Sequence, residues 1–272
     1  MKWLPVTYFT LMFVMTAFPV NAQQKTPKNL QSADLDYLLY LIQGNNFQEA
    51  TNAIAELGKR NTPESLDLLL MQLLLGYPPP MSKVMLQALG ARKDPRALET
   101  LMFYAKHRSV ELRTEALSAL CELEIKDPAI IKRIDNILLN ALSDYDEAVR
   151  NKAAWLLGKR RVAESEEILL ILFERGSTAA MQALGFVGSI RTAKALALAM
   201  ESTKTSKEPL ITTIGTLLSR PDFGPEPVRI QLVKILGETN LPGAQNVLMT
   251  YHADGPEAFM RSRKLAYQIL SR

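Results

Sequence analysis

Side chains able to do chemistry are scarce in this chain. His107 and His252 are its two histidines, and neither is followed by Glu. An iron centre built between facing helices needs several His-Glu pairs, so both read as polar residues near turns. Cys121 is the single cysteine, which rules out an internal disulfide. Set beside Leu120, it reads as a small buried thiol at a helix end rather than a nucleophile. No Ser-His-Asp grouping can be assembled, and no Gly-rich phosphate loop is present. Gly185-Phe-Val-Gly188 reads as a turn between helices. The expectation is a chain with no catalytic residue, no metal and no cofactor. What recurs instead is the chemistry of recognition: arginines, basic turns and one Trp, whose placement depends on the elements that carry them.

Those elements follow from an internal repeat. Leu57-Gly58, Leu89-Gly90, Leu157-Gly158, Leu184-Gly185 and Leu236-Gly237 set a register, and Leu120-Cys121, Leu218-Ser219 and Leu270-Ser271 fit it with the glycine replaced. The second residue of each pair serves as anchor. Five and four residues before it stand Ala53 and Ile54, Met85 and Leu86, Ala116 and Leu117, Ala153 and Ala154, Ala180 and Met181. The later repeats give Ile214 and Gly215, Leu232 and Val233, Ala266 and Tyr267. With the Leu before the anchor, these positions recur at helical spacing and form one buried stripe. Small residues in it let neighbouring helices approach. Beyond the anchor, Ser65, Ala97, Ser165 and Ala244 precede Leu69, Leu101, Leu169 and Leu248 on a second helix. Asp94-Pro95 and Asp127-Pro128 place an N-cap before a proline in the first turn. Each unit therefore reads as a helix ending at Leu-Gly, a short turn and a second helix.

Leu142-Ser-Asp144-Tyr-Asp146-Glu-Ala-Val149-Arg150 and the Ala153-Ala154 and Leu157-Gly158 that follow resemble the HEAT repeat family closely. Val228-Arg229 and Leu112-Arg113 resemble the same segment without the matching Asp. The resemblance spans about residues 34–272 and implies an all-α solenoid of about seven helical hairpins, with about 14 helices. It implies nothing about function, because HEAT arrays scaffold, transport, assemble and, less often, catalyse. The 18-residue step from Ser219 to Gly237 cannot hold a helix pair. Either a helix is missing there, or residues 206–219 are the first helix of the unit ending at Gly237. Pro221, Gly224, Pro225 and Pro227 mark an irregular joint near 203–226.

The ends and the charge suggest an address. Met1-Lys2 precedes an uncharged apolar run from Trp3 to Val20 that closes on Val20-Asn21-Ala22, the order of a secretory signal peptide cleaved after Ala22. The rival reading is an uncleaved anchor. The expected organisation is a signal peptide at 1–22, a flexible segment at 23–33 and the solenoid at 34–272, in a periplasmic or secreted protein. A formal charge of +4 over 272 residues gives no reason to expect nucleic acid.

Three surfaces remain. Arg113, Arg150, Arg229 and Arg263 all lie eight residues before an anchor, and are expected to form a structural ladder between repeats with acids such as Asp144. Lys59-Arg60, Arg92-Lys93 and Lys159-Arg160-Arg161 follow the anchor and stack into a basic edge, open to an anionic surface such as lipid headgroups but not requiring one. The third strip lies opposite the buried stripe, seven and three residues before the anchor. It is polar and largely uncharged, with Gln87, Ser118, Asn151 and Gln182, and has Trp155 at its centre. An exposed Trp among amides and hydroxyls resembles a binding hot spot; the competing reading folds it over the adjoining repeat as packing. The function these residues point to is a non-enzymatic scaffold that binds another protein, of the cell envelope, in a concave groove. The alternatives are a structural part docked in an envelope machine and a lyase- or isomerase-like enzyme.

Overall fold

A computed structural model describes residues 30–202 and 206–271. Every regular element in it is helical. The signal-peptide expectation at 1–22 falls outside the described residues. After a 3-10 turn at Leu30–Ser32, fifteen α-helices follow in chain order, one more than the repeat count suggested: α1 Leu35–Gln43, α2 Phe47–Lys59, α3 Pro63–Leu74, α4 Pro79–Arg92, α5 Leu98–Tyr104, α6 Val110–Glu122, α7 Pro128–Ala141 and α8 Glu147–Arg160. Then come α9 Glu166–Glu174, α10 Thr178–Val187, α11 Ile190–Glu201, α12 Lys207–Ser219, α13 Glu226–Glu238, α14 Pro242–Asp254 and α15 Met260–Leu270. Caps stand where the sequence places them. Asp127 accepts from the Ala129 N–H, and Asp146 from the Ala148 N–H, both at 2.8 Å. Asp94 caps a short 3-10 turn before α5.

The helices form two rows, which makes the chain an α-solenoid. The even-numbered helices stack directly on one another from α2 to α14, while the odd ones touch sparsely until α9. A row that packs tightly beside one that does not favours curvature toward the tight side, which over α1–α10 is the even row. The stripe five, four and one residues before each anchor is buried through the first five repeats, as at Ala153, Ala154 and Leu157. Ser65, Ala97, Ser165 and Ala244 are also buried, each under its neighbouring helix.

The anchor glycines do something other than end helices. α4 and α8 run two residues past Gly90 and Gly158, and close with Lys93 and Arg161 at positive φ (58° and 54°). Gly158 is the point at which α8 meets α10: a Cβ there would lie 3.1 Å from the Cα of Ala183. Gly90 meets Ala119 of α6 in the same way, at 3.0 Å. Gly185-Phe-Val-Gly188 is likewise not a turn, because Gly185, Phe186 and Val187 belong to α10 and only Gly188 caps it.

The short step between Ser219 and Gly237 has a definite cause. α12 stacks on α10 in the even row and is the second helix of the α11–α12 pair, so no helix is missing and α12 does not open the next unit. α13 then follows α11 in the odd row, although it carries the anchor sequence. α14, which lacks that sequence, takes the next even place on α12, and α15 packs on α13. The core divides at the same region: one cluster runs from Ala33 to Val187, another from Met181 to Ala266. Two arginines wire the joint. Arg220 donates to the Gly188 carbonyl (2.9 Å) and pairs with Asp222 (2.6 Å). Arg229 is fully buried, donates to the carbonyls of Leu218 (2.6 Å), Phe223 (2.6 Å) and Arg220, and lies over the rings of Phe259 (3.7 Å) and Phe223 (5.3 Å).

Candidate binding face

Trp155 projects from α8 on the exposed side of the even row, with 49% of its surface open. Burial of Ala153, Ala154, Leu156 and Leu157 on the same helix turns it there. Lys152 and Lys159, one turn either side, bring their ammonium groups to 5.6 and 4.6 Å from its ring centre. The ring is thus held in place by cations that stay hydrated, an arrangement worth about 0.5–1 kcal/mol at an exposed site.

Around it the strip is polar as expected. Asn151 accepts a hydrogen bond from the Ser177 hydroxyl (3.4 Å), joining α8 to the start of α10. Gln87 donates to Glu115 (3.2 Å) and Lys83 to Glu111 (2.9 Å), so α4 is tied to α6 across the face. Ser118 turns its hydroxyl back to the Thr114 carbonyl, and Gln182 is exposed. Sequence reasoning missed Phe186, which is 38% exposed. It lies four residues beyond Gln182 on the same helical face. It was hidden because the helix was taken to end at Gly185; the position after the anchor is still helical and still faces outward.

The basic edge proves to be internally engaged at several points. Arg60 donates to the carbonyls of Leu30 and Ala33, both at 2.8 Å, and holds the first turn of the described chain. Arg92 reaches back one repeat to the carbonyls of Leu57 and Thr62 and to the Ser65 hydroxyl (2.8 Å). Arg160 pairs with Asp135 at 2.7 Å, and Lys93 stands 3.7 Å from Glu124. Lys159 covers Trp155, while Lys59 and Arg161 are exposed.

The arginine column mostly closes its own hairpins. Arg113 both bonds the His107 carbonyl (2.9 Å) and pairs with Asp144 of the next repeat (2.9 Å). Arg150, Arg229 and Arg263 instead bind main-chain carbonyls of the turn before their helix, Arg150 those of Asp144 and Tyr145 and Arg263 those of His252 and Ala253. Among the described residues only Arg113 of this column has the acid partner that the ladder called for.

The reactive residues sit apart from this face and from each other. Burial pushes the Cys121 thiol up to about 11, which suppresses the thiolate. Burial, with Arg108 and Arg113 nearby, lowers the His107 imidazole below its usual value, and its Nδ1 accepts from the Ser109 N–H at 3.0 Å. His252 lies against Tyr267 with ring centres 4.9 Å apart and planes tilted by 34°. Among the described residues no group of three or more His, Cys, Asp or Glu could hold a metal ion, and no helix is long and apolar enough to cross a membrane.

No known family model matches the chain, and no curated protein matches it in sequence. Solved structures do resemble it. An engineered protein aligns at TM-score 0.48 with 17% identity, over 85% of this chain and 71% of its own. The complex of CpcE and CpcF of phycocyanin lyase from Nostoc sp. aligns at 0.46 with 14% identity, over 91% and 98%. A designed armadillo repeat protein in complex with the peptide (KR)4 aligns at 0.35 with 15% identity, over 88% and 100%. Likenesses this loose leave the fold resting on the row packing described above: the chain is a helical repeat protein.

Proposed function

We propose that this chain is a non-catalytic scaffold that holds a segment of another protein along the concave face of its even row, with Trp155 as the central anchor. The observation that carries the reading is the exposure of Trp155. A ring folded over the adjoining repeat as packing would be buried, whereas this one presents half its surface between two lysines. Trp is the side chain most often found at the energetic centre of interfaces, because it buries much area while losing little rotamer freedom. Asn151, Gln182, Gln87 and Ser118 supply hydrogen-bonding groups beside it, suited to the main chain of an extended segment, and Phe186 extends the apolar contact. We place the encounter outside the cytoplasm, in the cell envelope, on the strength of the apolar run and the Val20-Asn21-Ala22 sequence.

Gentle crosslinking in cells followed by purification would test this. A partner held by the native chain should be lost with Trp155→Ala, binding weakening by about 2 kcal/mol or more. Retention of that partner by the variant would sink the groove reading. N-terminal sequencing of the purified chain should begin at Gln23; a start within the apolar run would show that the segment is kept.

A further inference from the structure

A second feature of the even row lies where α14 stacks on α12. Four residues before the anchor, the first five repeats bury Ile54, Leu86, Leu117, Ala154 or Met181, but α12 has Gly215. Val247 of α14 closes on that glycine from one side, 3.0 Å from where a Cβ would stand. Beside that contact, α12 and α14 leave an open hollow of about 280 Å³. Thr212, Gly215 and Ser219 line it from α12, and Asn246, Val247, Thr250, Tyr251 and Asp254 from α14.

Its electrostatics have one sign. Ser219 and Asp254 are the last residues of α12 and α14, so both helices turn their C-terminal ends, and the partial negative charge these carry, toward it. An aspartate at the end of a helix is itself disfavoured there, unless a cation sits beside it. No residue lining the cavity is basic. Arg220, next to Ser219, is engaged with the Gly188 carbonyl and Asp222, and Arg263 with the carbonyls of His252 and Ala253. Neither the Asp254 carboxylate nor the Asn246 amide has a side-chain partner among the described residues. Both Thr212 and Ser219, by contrast, satisfy their hydroxyl hydrogens on the carbonyls of their own helix, which leaves their oxygens as acceptors.

We propose that this hollow receives an alkyl-guanidinium group, the arginine side chain of a protein segment that runs on along the even row. The guanidinium donates to Asp254 and to the Asn246 amide oxygen, and its stem packs on Val247 and Tyr251. The proteinaceous source of that arginine rests on the groove reading above; the cation chemistry of the cavity does not. Selectivity along the groove follows, because Trp155 between two lysines suits an apolar or acidic residue and this cavity suits a basic one.

The free probe argininamide, titrated into isotopically labelled protein and followed by amide NMR, separates the two claims. Shifts should cluster at residues 212–219 and 246–255, vanish with citrulline amide, which keeps the α-ammonium group but has a neutral side chain, and be lost in Asp254→Asn, an exposed position where the change does not threaten folding. They should persist unchanged in Trp155→Ala, so failure of the groove reading leaves this result standing. Absence of the cluster, equal shifts with citrulline amide, or shifts retained in Asp254→Asn would each overturn the proposal.

Discussion

The stack from α1 to α10 and the section from α11 to α15 use the same anchor sequence in different ways. In the first, the anchor glycine lets two backbones meet: Gly158 against Ala183, Gly90 against Ala119. In the second, the atoms nearest a Cβ at Gly237 are those of the Ile269 side chain, and Arg220 and Arg229 bond across the joint. Both regions have arginines bonded to main-chain carbonyls, but the first adds backbone contact at its anchor glycines, whereas the second relies at its joint on the fully buried Arg229. A repeated sequence thus preserves a helix geometry without preserving the forces that act on it.

The largest test of that contrast is Arg229→Ala. It leaves the Leu218 and Phe223 carbonyls without donors in a closed site and empties the space between two phenylalanine rings, costing about 3–5 kcal/mol. The loss should fall on the second core cluster first. In a chain lacking residues 1–22, Trp155 is the sole tryptophan and reports on the first cluster. Denaturant should therefore lower the circular dichroism signal of the variant before its Trp emission changes. Coincident transitions would mean that the two regions unfold as one unit.

A smaller contrast is available at the glycines themselves. Alanine gains about 1 kcal/mol over glycine in a helix interior. At Gly158 that gain is outweighed by backbone crowding, with a net loss of about 1 kcal/mol expected. Gly237→Ala should cost less, since a Cβ there meets the half-buried Ile269 side chain and not backbone. Paired thermal melts decide between them, and equal effects would erase the distinction.

Smaller still is the stability change in Trp155→Ala, under about 1 kcal/mol, because the ring is half exposed and touches cations rather than core. A large fall in midpoint would restore the packing reading. The smallest effect concerns Glu166, which joins the two regions by accepting from the Ser189 N–H and the Thr192 hydroxyl, both at 2.7 Å. Burial alone would raise its carboxyl, but those hydrogen bonds prevail and hold it below its ordinary value of 4.5. A depressed folded value means that its stabilisation is complete above pH 4.5 and is lost as pH falls through the folded value. Glu166→Gln should accordingly be less stable than the native chain at pH 7, with the gap narrowing as the pH is taken well below 4.5; an unchanged gap would remove the carboxylate from the account.

Much of this was legible in the sequence. Ala53, Ile54 and Leu57, and their counterparts through Leu184, are buried as the periodicity requires, and Trp155 is exposed where the opposite strip put it. What the columns could not show was the row to which α13 belongs. The anchor sequence records that a helix has a close neighbour on one side, a property that α13 has in either row. The arginine ladder was misjudged for a related reason: a guanidinium five or six residues from a tight turn finds carbonyls before it finds another repeat's acid. Phe186 was lost to a helix boundary drawn two residues early.

The shift of α13 into the odd row has a consequence of parity. Adding a hairpin, two helices, to such an array returns every module to the same orientation. The single-helix step at 219–226 does not. Beyond it the anchor-bearing helices show their outward strip, with Lys234 on α13 and Lys264 on α15, on the side of the molecule opposite Trp155. One half-step in the count of helices is thus enough to give a one-sided repeat two working sides.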